Sequence, residues 1–122
     1  MKFDNIDEYK YWSDFMESTY SKYVPVFKAL SDETRLKIVD MLSCGEMCAC
    51  DILESFSISQ STLSYHMKIL VDSGLVQAVR DGAWMRYTLN KENRDAALAF
   101  FSGITRENED CICNQHHARC AD

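Results

Sequence analysis

The amino-acid sequence predicts a mainly α-helical domain that carries one β-hairpin. Apolar residues recur at helical spacing over most of residues 5–74, and they alternate with polar residues over 76–89. Helical spacing returns over 91–104. Before the hairpin, two short helices are joined by a tight link, one at about 49–56 and one from Ser59 to Gly74. This order of elements predicts a winged helix-turn-helix, in which the hairpin is the wing.

Two helices are predicted before the helix-turn-helix. Bulky side chains recur at helical spacing over residues 5–20, namely Tyr9, Trp12, Met16 and Tyr20. This stripe suggests a dimer contact, and a plain core face is the alternative. Pro25, the only proline of the chain, fits the first turn of a second helix that ends at about Leu30.

The next three helices are predicted from their caps and apolar faces. Ser31-Asp32 supplies an N-cap for a helix over 32–43, which Gly45 ends, and Ser59 caps the helix that Gly74 closes. The apolar positions of each helix share one face. In chain order they are Leu36, Ile38, Val39 and Leu42, then Ile52, Leu53 and Phe56, then Leu63, Met67 and Leu70.

The wing and a closing helix follow. Two alternating segments flank Asp81-Gly82, which is a strong type I′ hairpin signal. Asn90 can cap a last helix over 91–104, whose apolar face holds Ala97, Phe100, Phe101 and Ile104. Residues 105–122 are polar, rich in cysteine and histidine, and without periodicity. We therefore predict a winged domain over 1–104 and a C-terminal tail over 105–122.

Composition limits the class of protein. A chain of 122 residues, 47% hydrophobic and 11% aromatic, suits one folded domain. No apolar run reaches the roughly 18 residues of a membrane span, and the acidic start lacks the apolar core of a secretory signal. We therefore expect a cytoplasmic protein without membrane contact, whose six cysteines bind metal or do redox work rather than form disulfides.

The charges are unevenly distributed along the chain. A net charge of −6 argues against a generic nucleic-acid binder. The distribution softens that objection, because residues 58–91 carry a net charge of +2 while 1–57 and 92–122 are both negative. The only positive segment is the one that contains the second helix of the helix-turn-helix and the wing.

That second helix is predicted to enter the major groove of DNA. Its outward face carries glutamine, hydroxyl groups, tyrosine and lysine with no acid before Asp72, whereas a merely solvated face would hold lysine and glutamate. Arg80 and Arg86 flank the wing tip and suit minor-groove or phosphate contacts. His66 either joins this surface or is a hydrogen-bonded histidine at the edge of the core. The predicted DNA-binding set is Gln60, Ser61, Thr62, Ser64, Tyr65, His66, Lys68, Arg80 and Arg86.

Four segments of the chain read ALSDETRLKI (29–38), EMCACDIL (46–53), SQSTLSYHM (59–67) and SGLV (73–76). Together they resemble the ArsR/SmtB family, and its arsenic-responsive branch in particular. The resemblance covers about residues 20–103. It implies a homodimeric bacterial repressor that dimerises through its first and last helices. Such a repressor binds double-stranded operator DNA and releases it when metal or metalloid ions bind.

Cys48 and Cys50 lie at the entrance of the 49–56 helix and resemble the Cys-Val-Cys core of the arsenic-responsive branch. Thiolates suit soft ions such as As(III), Sb(III), Cd(II) and Pb(II), and a helix N-terminus favours the thiolate form. On an ideal helix, positions i and i+2 point about 200° apart, so one ion reaches both sulfurs only if the first turn departs from regular helix. Ligation that distorted this helix would tilt the next one and weaken DNA binding.

The third ligand is left open by the sequence. As(III) usually takes three thiolates, and in the branch that this chain resembles a third cysteine often sits where Leu53 stands here. Cys44 is the nearest candidate, Cys111 or Cys113 could reach the site from the tail, and an organic substituent on arsenic is a further alternative. The tail also has the composition of a second metal site, suited to Zn(II), although these residues could be merely tolerated there. Its candidate ligands are Cys111, Cys113, His116, His117 and Cys120.

The leading hypothesis is therefore a repressor with an arsenite-type effector, As(III) or Sb(III). Within transcription, the alternatives are a Cd(II), Pb(II) or Zn(II) sensor and a thiol-redox or persulfide sensor. A thiol oxidoreductase is disfavoured, because no Cys-x-x-Cys precedes a helix in a βαβ context. A structural zinc or interaction module is disfavoured by the complete helix-turn-helix pattern. We predict no catalytic residues and no enzyme activity.

Overall fold

A computed structural model of the chain describes residues 19–107. Within that range the helices are α1 (its described part, residues 19–29), α2 (Glu33–Leu42), α3 (Ala49–Glu54), α4 (Gln60–Asp72) and α5 (Lys91–Thr105). The strands are β1 (Met47–Cys48), β2 (Val76–Asp81) and β3 (Trp84–Leu89), which form an antiparallel sheet in the order β1-β3-β2. The fold is the predicted winged helix-turn-helix, with α3 and α4 as its two helices and β2–β3 as the wing.

Pro25 lies inside α1, so the predicted helix start at this proline is wrong. A proline inside a helix removes one backbone hydrogen bond and costs stability. Packing against α5 offsets that cost, because the ring of Tyr23 stacks on Phe100 with centroids 4.4 Å apart. Nearly all of the helix predicted over 5–20 falls outside the described residues, so its aromatic stripe stays a prediction.

Three helix caps are confirmed. Asp32, Ser59 and Asn90 each accept a hydrogen bond from the backbone N–H three residues later, at 3.1, 3.1 and 3.0 Å. These bonds fix where α2, α4 and α5 begin. Helix α4 therefore has a defined start and a defined end, since Gly74 follows it with a positive φ of 87° that favours glycine.

The core is formed by the inward faces of the helices and the base of the wing. Ile38, Ile52, Met67 and Leu70 are its largest fully buried side chains. The predicted inward face of α4 is confirmed, since Leu63 is buried beside Met67 and Leu70. Leu36 is half exposed, so its predicted place on the buried face of α2 is wrong. Ile38 and Leu42 are the buried side chains of that helix, which turns its inner face away from Leu36.

The wing differs from its predicted turn and gains a third strand. Asp81 pairs with Trp84, so the central residues of the turn are Gly82 and Ala83 rather than Asp81 and Gly82. Of these two central residues only Gly82 has a positive φ, of 63°, whereas a type I′ turn needs a positive φ at both. The type I′ prediction is therefore wrong. The unpredicted strand β1 places Met47 opposite Tyr87 and pairs Cys48 with β3.

An apolar face remains exposed on α1, α2 and α5. Phe27, Leu98, Phe101 and Ile104 are between 38% and 63% exposed. Phe27, Leu98 and Phe101 line an apolar groove of about 300 Å³, to which α2 and the ends of the wing also contribute residues. Among residues 19–107, no helix is long and apolar enough to cross a membrane.

Candidate thiol site and DNA-reading surface

Cys48 and Cys50 lie side by side at the start of α3. Cys48 is the N-cap of this helix and has extended backbone angles, φ −73° and ψ 147°. Its sulfur accepts the N–H of Cys50 at 3.4 Å, and the two Sγ atoms are 2.6 Å apart. Neither forms a disulfide; Cys48 is buried and Cys50 half-buried. The two thiols therefore face one point at which both can bind the same atom.

The N-cap conformation corrects the expected geometry of this pair. The angle of about 200° between positions i and i+2 applies only when both residues are helical. Cys48 belongs to β1 and Cys50 to the first turn of α3, so the extended backbone of Cys48 turns its sulfur back toward Cys50. The sulfurs are together without any distortion of α3. Ligand binding thus does not require this helix to unwind.

The pKa values of the two thiols are shifted in opposite directions. A hydrogen bond from the Cys50 thiol, followed by the backbone N–H groups of Cys50 and Asp51, lowers the pKa of Cys48 below its usual range. The same contact with Cys48, together with partial burial and the Asp51 carboxylate, raises the pKa of Cys50. Of the two thiols, Cys48 therefore loses its proton more readily, and the Cys50 thiol is its hydrogen-bond donor. A thiol that ionises more readily is the better ligand for a soft electrophile.

No third cysteine is grouped with the pair within the described part of the chain, and the Asp51 carboxylate lies 3.9 Å from the Cys50 sulfur. Over residues 19–107, no three Cys, His, Asp or Glu side chains are grouped to hold a metal ion. Cys44 is exposed and is not brought into such a group. The predicted tail ligands, Cys111, Cys113, His116, His117 and Cys120, lie outside the described residues.

Arg86 links the thiol pair to the wing. It is the direct partner of Cys48 in the β1–β3 pairing. Its Nε donates to Asp81 at 2.8 Å, and its Nη1 lies 3.5 Å from the carboxylate of Glu46, next to β1. Asp81 first, and Glu46 and the Cys48 thiolate more weakly, raise the pKa of Arg86 above its usual range. One guanidinium therefore contacts both Glu46, the residue before β1, and Asp81, next to the turn of the wing.

The outward face of α4 is free to meet DNA. Six of the predicted residues on this helix are exposed: Gln60, Ser61, Thr62, Ser64, Tyr65 and Lys68. Lys68 forms an i,i+4 ion pair with Asp72 at 3.0 Å, and Tyr65 is 63% exposed. Arg80 and Arg86 are exposed on the wing. This geometry matches a reading helix flanked by a basic hairpin.

His66 has a different position from the rest of the predicted DNA-binding set. Its side chain is only 12% exposed, and its Nδ1 accepts from Nη1 of Arg35 at 3.0 Å. Because arginine can only donate, this geometry assigns the ring proton to Nε2. Arg35 also donates from Nε to the carbonyl of Ala29 at 2.7 Å. His66 therefore joins α4 to α2 and the end of α1 and does not lie on the exposed reading face.

A cavity of about 430 Å³ lies between α3, α4 and the wing. Its wall is mostly apolar and includes Leu53, Met85 and Trp84. Cys50 lines one side, and Gln60 of the reading face lines another. Sequence reasoning missed this cavity, because its wall comes from three elements and depends on how the wing folds against α4. The one signal in the sequence that could have indicated the cavity was a tryptophan, Trp84, next to the hairpin turn.

Comparisons with known proteins agree with this geometry. Residues 32–78 match the family described as bacterial regulatory protein, arsR family. An arsenical resistance operon repressor of Staphylococcus aureus is 46% identical over 95 residues, which cover 78% of this chain and 91% of that protein. An ArsR-like transcriptional regulator from Rhodococcus sp. RHA1 is 29% identical with a TM-score of 0.64, covering 71% of this chain and 80% of that one.

A third similarity concerns the fold alone. The homodimeric winged helix-turn-helix DNA-binding domain of a Mycobacterium bovis protein is 24% identical, with a TM-score of 0.61. The similarity covers 78% of this chain and 95% of that domain.

Proposed function

This chain belongs to the arsR family of bacterial regulatory proteins, and we propose that it represses transcription until a trivalent arsenic or antimony species binds Cys48 and Cys50. The observation that carries the proposal is the pair of sulfurs 2.6 Å apart at the entrance of the helix-turn-helix. Several relatives in its size range are named arsenical resistance operon repressors, in Staphylococcus aureus, Staphylococcus xylosus and Bacillus subtilis. Such a repressor acts in the cytoplasm, where its thiols stay reduced.

The DNA-bound form is a homodimer that places two copies of α4 in successive major grooves. The exposed apolar face on α1 and α5 supports dimerisation there, since burying Phe27, Leu98 and Phe101 would remove a large apolar surface from water. In each copy Gln60, Ser61 and Ser64 read base edges, while Arg80 and Arg86 bind phosphates or the minor groove. His66 positions α4 from behind through Arg35 rather than touching DNA.

The effector acts through the sheet rather than by unwinding α3. Ligation would place a bulkier arsenic–sulfur group on Cys48, directly opposite Arg86 on β3. The wing, which Arg86 holds through Asp81, would then shift relative to α4. Emptying an operator from 99% to 1% needs a preference of about 5.5 kcal/mol between the two states, which thiolate ligation can supply.

The third ligand and the tail form a separate part of the proposal. Residues 105–122 are a tail attached to the winged domain of residues 1–104, and Cys111, Cys113 and Cys120 form a second, accessory metal site with His116 or His117. Cys44, exposed beyond the end of α2, is not a ligand. Replacing the tail cysteines with serine should therefore leave the primary response in place.

A redox sensor is the second candidate function. The same two sulfurs, of which Cys48 has the lowered pKa, could form a disulfide with a peroxide or polysulfide as oxidant. The experiment is a fluorescence-anisotropy titration of promoter DNA with the protein, followed by addition of trivalent arsenic, Cd(II), Zn(II) or peroxide. We expect release by trivalent arsenic in the wild type and none in Cys48→Ser or Cys50→Ser. Release by peroxide but not by arsenic would favour the redox sensor.

A further inference from the structure

We infer that Trp84, next to the turn of the wing, is a DNA contact, and that its indole ring packs on the sugar–phosphate strand that passes between the wing and helix α4. The inference concerns how the protein holds DNA, and it does not depend on which effector binds at the cysteine pair. It adds an apolar contact to the polar and charged side chains already assigned to the DNA-binding surface.

Trp84 is a large apolar side chain that the fold leaves open to solvent. It is the first residue of β3 and pairs with Asp81 across the two-residue turn of the hairpin. Its exposed fraction is 53%. Single exposed apolar residues are common on protein surfaces, so exposure alone assigns no role to it. The position of Trp84 relative to α4 is the informative observation.

Trp84 borders the same open space as the outward face of α4. Together with Ala83 it lines one side of the cavity of about 430 Å³ between α3, α4 and the wing. Gln60 and Ser64, which belong to the exposed face of α4, line another side of that cavity. The end of the wing therefore faces the start of α4 across a cleft, and Trp84 lies at its edge.

The geometry of B-form DNA determines what crosses this cleft. A helix in the major groove and a hairpin in the neighbouring minor groove are separated by one sugar–phosphate strand. With α4 and the wing placed in these two grooves, that strand runs over the open side of the cleft. Its deoxyribose rings offer C–H surface, and the indole of Trp84 is large and flat enough to bury that surface. Apolar side chains are used in this way by proteins that bind the minor groove.

The charges of the DNA-binding surface also favour an apolar contact. Arg86 is paired with Asp81 at 2.8 Å and with Glu46 at 3.5 Å, and Lys68 is paired with a carboxylate one helical turn away at 3.0 Å. A carboxylate beside a cation reduces the attraction of that cation for phosphate. The two central residues of the turn, glycine and alanine, add no cation. Burial of Trp84 adds binding free energy that these paired charges do not supply.

The first test is the affinity of the full chain for its promoter DNA, measured by fluorescence anisotropy without effector at several salt concentrations. We expect Trp84→Ala to weaken binding about tenfold or more, because the buried indole surface is lost. The slope of log affinity against log salt should stay as in the wild type, since no cation leaves a phosphate. An affinity within about twofold of the wild type, or a slope reduced by about one, would overturn the inference.

Two further substitutions separate apolar packing from charge. Trp84→Phe keeps an aromatic surface and should recover most of the affinity that Trp84→Ala loses. Trp84→Lys replaces the ring with a cation, and we expect weaker binding than in the wild type together with a steeper dependence on salt. If the wing needed only positive charge, Trp84→Lys would bind at low salt at least as tightly as the wild type. That result would contradict the inference.

A ¹⁹F NMR measurement observes the ring in the wild-type chain. The sequence has two tryptophans, so labelling with 5-fluorotryptophan gives two signals, and Trp84→Phe identifies the one that belongs to Trp84. We expect the difference in its chemical shift between H₂O and D₂O to shrink when promoter DNA is added, because the strand covers the ring. This readout holds even if Trp84→Ala fails to fold. A solvent shift unchanged at saturating DNA would leave the ring facing water and overturn the inference.

Discussion

Cys48 and Arg86 are direct partners in the antiparallel β1–β3 pairing, so the thiol site lies directly opposite a residue of the wing. From that position the Arg86 Nε donates to the Asp81 carboxylate at 2.8 Å, close to the turn of the hairpin. A change at Cys48 therefore reaches the wing through a single side chain. Under the proposed function, this relationship gives an effector bound at Cys48 a short mechanical and electrostatic path to the wing.

Replacing Arg86 with glutamine should uncouple the effector from DNA release. The variant keeps length and polarity but loses the charge that joins Cys48, Glu46 and Asp81. We expect the ratio of operator affinities without and with arsenical to shrink about fivefold or more, within the usual range of coupling free energies. Arg80→Gln is the matched control, because it should weaken both states equally and leave the ratio unchanged. A preserved ratio in Arg86→Gln would remove Arg86 from the path.

The thiol pair should titrate in two separated steps. In ¹³Cβ-cysteine NMR we expect Cys48 to ionise below, and Cys50 above, the ordinary cysteine pKa of about 8.5. The lowered pKa of Cys48 stabilises the folded state at a pH above that pKa, whereas the raised pKa of Cys50 destabilises the folded state at high pH. The two shifts therefore oppose each other in the overall free energy of unfolding. The residue-specific titration is thus the informative readout. Cys50→Ala should move the Cys48 midpoint upward, because the donating thiol is lost; an unmoved midpoint would mean that other groups set it.

The contact between His66 and Arg35 should stabilise the domain. His66→Ala leaves the half-buried Arg35 without its 3.0 Å acceptor, and we expect a loss of about 1–3 kcal/mol in urea unfolding. His66→Asn places an amide oxygen near the position of Nδ1 and should recover part of that loss. If both variants unfold like wild type, the contact contributes nothing to stability, and a DNA contact of His66 becomes the better explanation.

The reading helix and the wing should affect DNA binding in different ways. Gln60→Ala should cost about 1–3 kcal/mol on the best operator and relax the preference at one base pair. Arg80→Gln should weaken binding to all sequences alike and lower the slope of log affinity against log salt by about one. Competition with single-base operator variants at several salt concentrations separates the two effects. A uniform loss in Gln60→Ala would assign that residue to the phosphate backbone.

Local signals made most of the fold predictable. Asp32, Ser59 and Asn90 are caps that act on the next three residues, and the inward face of α4 follows from spacing alone. The errors came from long-range contacts. Pro25 lies inside α1, a helix that packs against α5 through Tyr23 and Phe100. Strand β1 exists only because two residues pair with a strand about forty positions later.

The site was predictable in its residues but not in its geometry. The spacing of Cys48 and Cys50 identified the candidate ligands, whereas their convergence depends on the extended backbone of an N-cap residue. The same limit applies to His66, whose direction depends on a partner in another helix, and to the cavity at Trp84. Residue type predicts chemistry, and packing decides which atoms meet.

The central claim is that Cys48 and Cys50 alone form the switch, and two complementary variants of the full chain test it. In one, Cys44, Cys111, Cys113 and Cys120 are serine, so that only the pair remains; in the other, only Cys48 and Cys50 are serine. The measurement is operator release by a trivalent arsenical, with bound arsenic counted by mass spectrometry. We predict full release with one arsenic per chain in the first variant and no release in the second. Release by the second variant, or its absence in the first, would contradict the account.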